Sequence, residues 1–358
     1  MRKVHCKLFT PGPTEVRPEI LQSMATPQIY HRSPEFRELY AEIQPKLQKL
    51  LYTEQTVLLF TSSSTGAMEA AVQNCVQKKC LNLVNGAFSK RWHDITAACG
   101  IPCEALNVPW NVAIKPEVVE EELAGGEFDA VTLVYNETST GLMNPLPQIA
   151  EVVRKFPDVF LLVDAVSAMG GVKIEFDALG LDVCLAGVQK ALALPAGLAV
   201  CAVSDRALKR AEGIKPRTYY FSFPVMVKSH QKNETPTTPS IPHLFALNAQ
   251  LDAMLEEGLD RRFARHEAMA ALTQSWAQHH FAMYPEAGYW SKTVSCITNT
   301  RGISVDDLNK TLVQEHGMRI SNGYGDLKGK TFRIAHMGDL TVADVRGLLG
   351  VIDAILEL

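Results

Sequence analysis

The stretch Leu181-Asp-Val-Cys-Leu-Ala-Gly-Val-Gln189-Lys190 is an apolar run closed by a glutamine and a lysine. Its lysine follows, by 26 residues, the aspartate that closes a second run, Phe160-Leu-Leu-Val-Asp164. Short apolar runs of this kind predict strands buried on both faces, the pattern of a parallel sheet. Ligands of such sheets gather outside the carboxyl ends of the strands, so the spacing predicts one site holding Asp164 and Lys190 together.

Outward from this pair the same grammar repeats. Proline-rich Phe9-Thr-Pro-Gly-Pro-Thr14 predicts an extended arm. Apolar residues at helical spacing predict a helix over Glu35 to Tyr52, followed by a strand over Thr56 to Phe60 and a helix over Ala67 to Val76. Further strands are expected at Cys80 to Val84, Asp129 to Tyr135 and Val159 to Val163, with helices at Phe88 to Cys99 and Pro147 to Phe156. The alternation implies an α/β fold, a mostly parallel sheet flanked by helices. From Gly213 to Pro242 the pattern fails, and Arg217, Tyr219, Tyr220, His230 and Lys232 stand among prolines and threonines. That segment is too long for an ordinary connector and is expected to be a structured excursion meeting a partner subunit. Long helices over Leu244 to Glu257 and Leu259 to His279 then lead to a smaller α+β unit. It has strands near Thr293 to Thr298, Met318 to Ser321 and Thr331 to His336, and helices over Ser304 to Glu315 and Thr341 to Leu356. The expected division is an arm over 1–20, a large domain over 21–257 that includes the excursion 213–242, and a small domain over 258–358.

The chemistry follows from the residue types. A lysine able to form a Schiff base, and an aspartate able to keep a pyridine nitrogen protonated, are the two groups that pyridoxal 5'-phosphate chemistry requires. The turn Thr61-Ser-Ser-Ser-Thr-Gly66 lies between a predicted strand and a predicted helix, so Ser63, Ser64, Thr65 and the first helical amides suit an anionic phosphate. Helix capping explains one such hydroxyl, not three in succession. Phe88 or Trp92 is a candidate to cover the cofactor ring, Thr138 a candidate for its phenolic oxygen, and Arg333, in Phe332-Arg-Ile-Ala335, a bidentate match for a substrate carboxylate.

Bulk properties narrow the class. At 358 residues, two domains are expected. A formal charge of −4, with no basic stripe interleaved with aromatics, gives no electrostatic case for nucleic acid. No apolar stretch has the length of a membrane span, so no membrane association is expected. The eight cysteines lack C-x-x-C spacing and read as thiols in a reducing, cytoplasmic compartment, with no metal site.

Several segments together closely resemble the class V, fold-type I pyridoxal phosphate enzymes, and within them the alanine/serine–glyoxylate (serine–pyruvate) aminotransferases. They are Thr10-Pro-Gly-Pro-Thr14, His31-Arg-Ser-Pro-Glu-Phe36, Ser64-Thr-Gly-Ala-Met-Glu-Ala70, Asn85-Gly-Ala-Phe-Ser89, Glu137-Thr-Ser-Thr-Gly141, Val163-Asp-Ala-Val-Ser167, Gln189-Lys190 and Phe332-Arg-Ile-Ala-His-Met-Gly338. The resemblance implies a phosphate cup of Ser63, Ser64 and Thr65, with Gln189 beside it. It puts Phe88 at the ring-stacking place, Thr138 at the phenolic oxygen, Asp164 at the pyridine nitrogen and Lys190 at the Schiff base. Thr238, and with it Thr235, matches residues that reach the phosphate from the other subunit of a homodimer. Gly12 matches the arm lining the substrate pocket, and Arg333 the carboxylate clamp. Implied substrates are small amino acids and 2-oxo acids, with alanine or serine donating to glyoxylate or pyruvate. Family members acting on 2-aminoethylphosphonate, and cysteine desulfurases, are the alternatives. Departures stand out: Phe88 replaces a frequent tryptophan, Ser62-Ser63-Ser64 a more glycine-rich turn, and Ser89 a frequent glycine.

Overall fold

The computed structural model describes residues 5–358. Its centre is a seven-stranded sheet of β1 (Thr56–Phe60), β2 (Cys80–Val84), β3 (Cys103–Asn107), β4 (Ala130–Val134), β5 (Phe160–Asp164), β6 (Val183–Gly187) and β7 (Ala199–Val203). The spatial order is β1-β7-β6-β5-β4-β2-β3. All neighbours pair in parallel except β7, which runs antiparallel to both β1 and β6. Six strands therefore end at one edge of the sheet. Chain order reverses between β2 and β4, where a crevice opens at that edge.

Alternate side chains of each strand enter opposite cores. Val57, Leu59, Leu161, Val163, Cys184 and Ala186 join helices Pro34–Leu51 and Ile241–Glu257 on one face. Leu58, Phe60, Phe160, Leu162, Val183 and Leu185 join helix Ser64–Cys75 and Trp92 on the other. Both faces are covered, so the strands between β1 and β2 in the spatial order are almost wholly apolar rather than alternating with polar residues, while the edge strand β3 keeps polar positions. The helix from Pro34 begins where the Ser33 hydroxyl accepts the Phe36 amide, with proline at its first turn, and stops at Tyr52 in a left-handed conformation.

The smaller C-terminal α+β domain holds a four-stranded antiparallel sheet of β8 (Ala282–Met283), β9 (Val294–Thr298), β10 (Ser321–Asn322) and β11 (Thr331–Ala335), ordered β8-β9-β11-β10. Its core gathers Met269, Trp276, Ile297, Phe332, Ile334, Val345 and Leu348, and takes in Phe9 from the arm. No helix is long and apolar enough to cross a membrane among the described residues.

Two details differ from the sequence expectation, and a third agrees with it. The expected strand over Met318 to Ser321 is two pieces: Met318–Arg319 pairs in parallel with Lys7–Leu8 of the arm, and β10 pairs with β11. Ile320 between them is buried in the small-domain core, which turns the backbone from one partner to the other. The arm is accordingly a short strand before the bends at 10–13. The excursion 213–242 is structured, as expected, and carries a helix, Phe223–His230, capped by Ser222.

A buried ion cluster ties the two domains. Arg262, 1% exposed, donates to Asp339 at 2.9 Å, to Glu257 at 3.0 Å, and to the carbonyls of Gly170 and Ala191. Burial pushes the Asp339 carboxyl up, but the Arg262 and Arg17 guanidiniums outweigh it and hold it below its ordinary value. That stabilisation is present at neutral pH and lost as pH falls through the lowered value. Arg262→Met should cost about 3–5 kcal/mol of unfolding free energy, because the partners remain as uncompensated buried groups. Urea unfolding of the purified protein checks this, and a change below about 1 kcal/mol would show that the cluster ties nothing.

Candidate active site

Five chain segments converge on the carboxyl edge of the large sheet. A cavity of about 160 Å³ is lined by Ser63, Ser64, Thr65, Met68, Phe88, Arg91, Val134, Thr138, Asp164, Val166, Gln189 and Lys190. A larger groove of about 710 Å³, with Arg217, Tyr219 and Pro224 on its wall, lies elsewhere and contains neither Asp164 nor Lys190. Chemistry, not size, picks out the smaller one.

Asp164 and Lys190 are both nearly inaccessible, at 3% and 7% exposure. The Asp164 carboxylate accepts one hydrogen bond among the described residues, from the Val166 amide at 2.7 Å. Burial pushes its pKa up to about 7; Glu137 adds to the rise, and the Val166 amide, Lys190 and Arg91 oppose it. Lys190 Nζ donates to Thr138 Oγ1 at 3.4 Å and sits 5.3 Å from the centre of the Phe88 ring. Burial lowers its pKa to about 8, with Arg333 and Arg91 acting the same way and Asp164 and Glu137 against it. The site thus holds an acid short of donors and an amine close to neutrality.

Gln189 lies on the cavity wall beside Lys190, and Phe88 contributes its ring. Trp92 does not: it is fully buried and donates its indole N–H to the Met68 carbonyl. Arg333, on β11, is fixed by the carbonyls of Asn322, at 3.1 and 3.2 Å, and of Thr138 at 3.2 Å. Gly12 has φ +106°, and a Cβ there would lie 2.8 Å from Lys190 Cε, so the arm passes against the lysine stem with no room for a side chain. Thr235 and Thr238 do not line the cavity of their own chain. The Thr235 hydroxyl bonds the Thr237 carbonyl, which occupies its donor, while Thr238 is exposed.

Four residues of the site escaped the sequence reading. Glu137 is fully buried and accepts from the amides of Phe88, Ser89 and Ser139 and from the hydroxyls of Ser89 and Ser139. A carboxylate at the first turn of helix Ala87–Ala98 satisfies orphan amides and favours the helix dipole, and so fixes the Phe88 ring. A Cβ on Gly86 would fall 2.3 Å from Glu137 Cγ, which explains the glycine. Ser167 Oγ meets Thr138 Oγ1 in a short hydrogen bond. Arg91 donates to the Tyr324 hydroxyl at 2.9 Å and lies 4.9 Å from the Phe88 ring centre. Arg91 had a signal, three residues after Phe88 on one helix face. Tyr324 had none, since only tertiary folding brings it here.

The residues present fit pyridoxal phosphate. The hydroxyls of Ser63, Ser64 and Thr65 have no side-chain partner among the described residues, at the start of a twelve-residue helix where an anion is favoured. The single-bonded, dry carboxylate of Asp164 suits a cationic N–H. The model of the class V aminotransferases matches residues 10–325.

The chain belongs to that family.

It is a pyridoxal phosphate-dependent aminotransferase, acting between small amino acids and 2-oxo acids. It is 33% identical to an L-aspartate–glyoxylate aminotransferase of Paracoccus denitrificans over 97% of this chain and 89% of that one. It is 32% identical to a serine–glyoxylate aminotransferase of Methylorubrum extorquens over 96% and 89%. The crystal structure of an alanine–glyoxylate aminotransferase from Nostoc sp. superposes with a TM-score of 0.93 at 27% identity, covering 99% of this chain and 96% of that chain.

The electrostatics of this aminotransferase give a signed expectation. Without cofactor, the folded Asp164 pKa lies above its unfolded value, so the carboxyl contributes a penalty that grows as pH rises from about 4 to about 7 and is constant above. Asp164→Asn should therefore raise the urea midpoint of cofactor-free protein at pH 8, leave it nearly unchanged below pH 4, and weaken cofactor binding. A midpoint lowered by the substitution at pH 8 would contradict the assignment of Asp164 as an unpaired buried acid.

Proposed function

We propose that this aminotransferase moves the amino group of alanine or serine to glyoxylate, with pyruvate as the lesser acceptor. The observation that carries the reading is Arg333: a guanidinium held by two backbone carbonyls, with no carboxylate partner among the described residues, and joined to Lys190 through Thr138, whose carbonyl accepts from Arg333 and whose hydroxyl accepts from Lys190. The alanine–glyoxylate and serine–glyoxylate relatives support the same pair of substrates.

Pyridoxal phosphate, when bound, supplies an aldehyde for amine exchange and a ring that draws electron density from the substrate α-carbon. The protein does the rest. Ser63, Ser64, Thr65 and the first amides of helix Ser64–Cys75 hold the phosphate, with Gln189 alongside. Phe88 stacks on the ring, and Glu137 keeps Phe88 in place. Asp164 holds a proton at the ring nitrogen, and that pairing lowers the carboxyl's pKa again. Thr138, braced by Ser167, bonds the phenolic oxygen. Arg333 fixes the substrate carboxylate in the plane of its fork, and Gly12 leaves space for the stem of Lys190. Lys190 Nζ carries the α-proton, a task its depressed pKa suits because a neutral amine is available near pH 8.

The partner reading is a homodimer in which Thr238, exposed in its own chain, reaches the phosphate of the other subunit. Thr235 has a supporting place in the same turn, with its hydroxyl already bonded. Desulfuration of cysteine is disfavoured, since Cys184, Cys201 and Cys296 are all buried with thiol pKa values pushed up by burial.

Half-reactions test the donors. Loss of the bound cofactor's absorbance on adding alanine or serine, and its return with glyoxylate, is expected; cycling only with 2-aminoethylphosphonate would overturn the assignment. Arg333→Ala should cost about 2–5 kcal/mol in kcat/KM for both acids. Borohydride reduction with peptide mapping should put the adduct on Lys190. For shared sites, Lys190→Ala and Thr238→Ala subunits, inactive or weak alone, should regain activity after exchange. No recovery despite confirmed exchange counts against the arrangement.

A further inference from the structure

The hydroxyl protons around Thr138 can be placed by elimination. Ser167 is 1% exposed and Thr138 4%. A buried hydroxyl gives its proton to an acceptor, and the acceptor that meets Ser167 Oγ among the described residues is Thr138 Oγ1. Thr138 Oγ1 also accepts from Lys190 Nζ at 3.4 Å. Ser167 and Lys190 therefore fill both of its acceptor positions, and its own proton is left for the cavity, which Thr138 lines and Ser167 does not.

The Ser167 carbonyl is held from two sides. It accepts from Thr293 Oγ1 at 2.6 Å and from Asn136 Nδ2 at 3.1 Å. Asn136 Nδ2 also donates to Thr293 Oγ1, at 2.7 Å, so these groups bond one another in a closed set. The set joins the strand end that leads to Thr138, the turn after Asp164, and the residue just before β9 of the small domain. Thr293 is fully buried, and a Cβ on Gly171 would lie 2.7 Å from its methyl, so the same turn presses on it farther along. The Thr293 carbonyl accepts from the His336 amide at 2.9 Å, and β9 pairs with β11 at Arg333. Arg333 and Thr293 thus reach the site on neighbouring strands of one sheet.

We propose that Thr293 is a positioning residue: it fixes Ser167 so that the hydroxyl protons run from Ser167 to Thr138 and from Thr138 to the cofactor's phenolic oxygen, and so sets how readily the bound cofactor gives up its proton. The inference rests on the reading of Thr138 as the contact to that oxygen. A donor aimed at the oxygen favours its anionic form, which lowers the pH at which the bound chromophore is deprotonated. A hydroxyl that itself receives a hydrogen bond is the stronger donor. The charged groups facing Lys190 are Asp164, Glu137, Arg333 and Arg91, and Arg333 also donates to the Thr138 carbonyl. Thr293 carries no charge and acts only through the order of the hydroxyls. Docking of the small domain then brings the carboxylate clamp and tunes the proton in one movement.

An absorbance titration of the holoenzyme against pH tests this. Thr293→Ala and Thr293→Ser both lose the methyl against Gly171, and only the first loses the hydroxyl. Thr293→Ala should raise the midpoint by about half a pH unit or more, the size of one weakened hydrogen bond, and Thr293→Ser should stay close to the unaltered enzyme. Ser167→Ala should move the midpoint in the same direction as Thr293→Ala. Thr273→Ala removes an equally buried hydroxyl, which bonds the Met269 carbonyl within the long helix, and should leave the midpoint in place. Where Thr293→Ala does not retain cofactor, Thr293→Val is read instead, with the same expectation. An unmoved or lowered midpoint without the Thr293 hydroxyl overturns the proposal, as does an equal rise in Thr293→Ser or in Thr273→Ala. Thr138→Val separates the two readings. A shift there with none in Thr293→Ala removes the role of Thr293 alone, whereas no shift in Thr138→Val removes the phenolic-oxygen contact and the proposal with it.

Discussion

Everything at the site depends on the parallel pairing of Phe160–Asp164 with Val183–Gly187. That register puts Asp164 level with Leu185, so the chain leaving β6 turns back over the carboxylate within a few residues and delivers Lys190 into the same dry crevice. A buried acid and a buried amine would be a poor combination if water could reach them freely, because neither pKa would move. Enclosed by two cores, each is driven toward its neutral form, and they meet between about 7 and about 8. The fold thus stores an electrostatic penalty that a protonated aromatic nitrogen and an anionic phosphate relieve.

Two carboxylates lie near this crevice and have opposite duties. Glu137 accepts from two hydroxyls and three amides, so it is a structural acid that holds the start of helix Ala87–Ala98. Asp164 accepts from a single amide and keeps its remaining capacity for a ligand. The difference is set by environment rather than residue type, and burial alone does not reveal it, since both are almost fully enclosed.

Much of this was legible in the linear chain. Strands Thr56–Phe60 and Cys80–Val84 have the predicted bounds, because continuous apolar runs between turn signals leave little freedom. Strand Cys103–Asn107 escaped notice: as an edge strand with polar positions it shows no such run, and its pairing with Cys80–Val84 alone defines it. Likewise Asp164, Lys190, Phe88 and the Ser63 to Thr65 turn were marked by their places after strands. Glu137 sat inside a quoted motif but declared nothing about its role, since a carboxylate's duty depends on how many donors tertiary structure aims at it. Tyr324, in a glycine-rich turn of the small domain, has a role only because β11 carries Arg333 to the same wall.

The small domain is therefore part of the site rather than an appendage. Arg333 reaches across from β11 to the Thr138 carbonyl, and Arg262 reaches the other way to the carbonyl of Ala191, the residue after Lys190. The arm threads between, with the Phe9 carbonyl accepting from the Ala335 amide and Gly12 against the lysine stem. Each contact ties a backbone group of one domain to a charged or main-chain group of the other, so the turns that carry Thr138 and Ala191 are anchored from the small domain. A small rotation between the domains would consequently move Arg333 and the lysine turn together. Arg333 and Lys190 share an anchor in Thr138, which accepts from one through its carbonyl and from the other through its hydroxyl, so the positions of the two cations are set by the same turn.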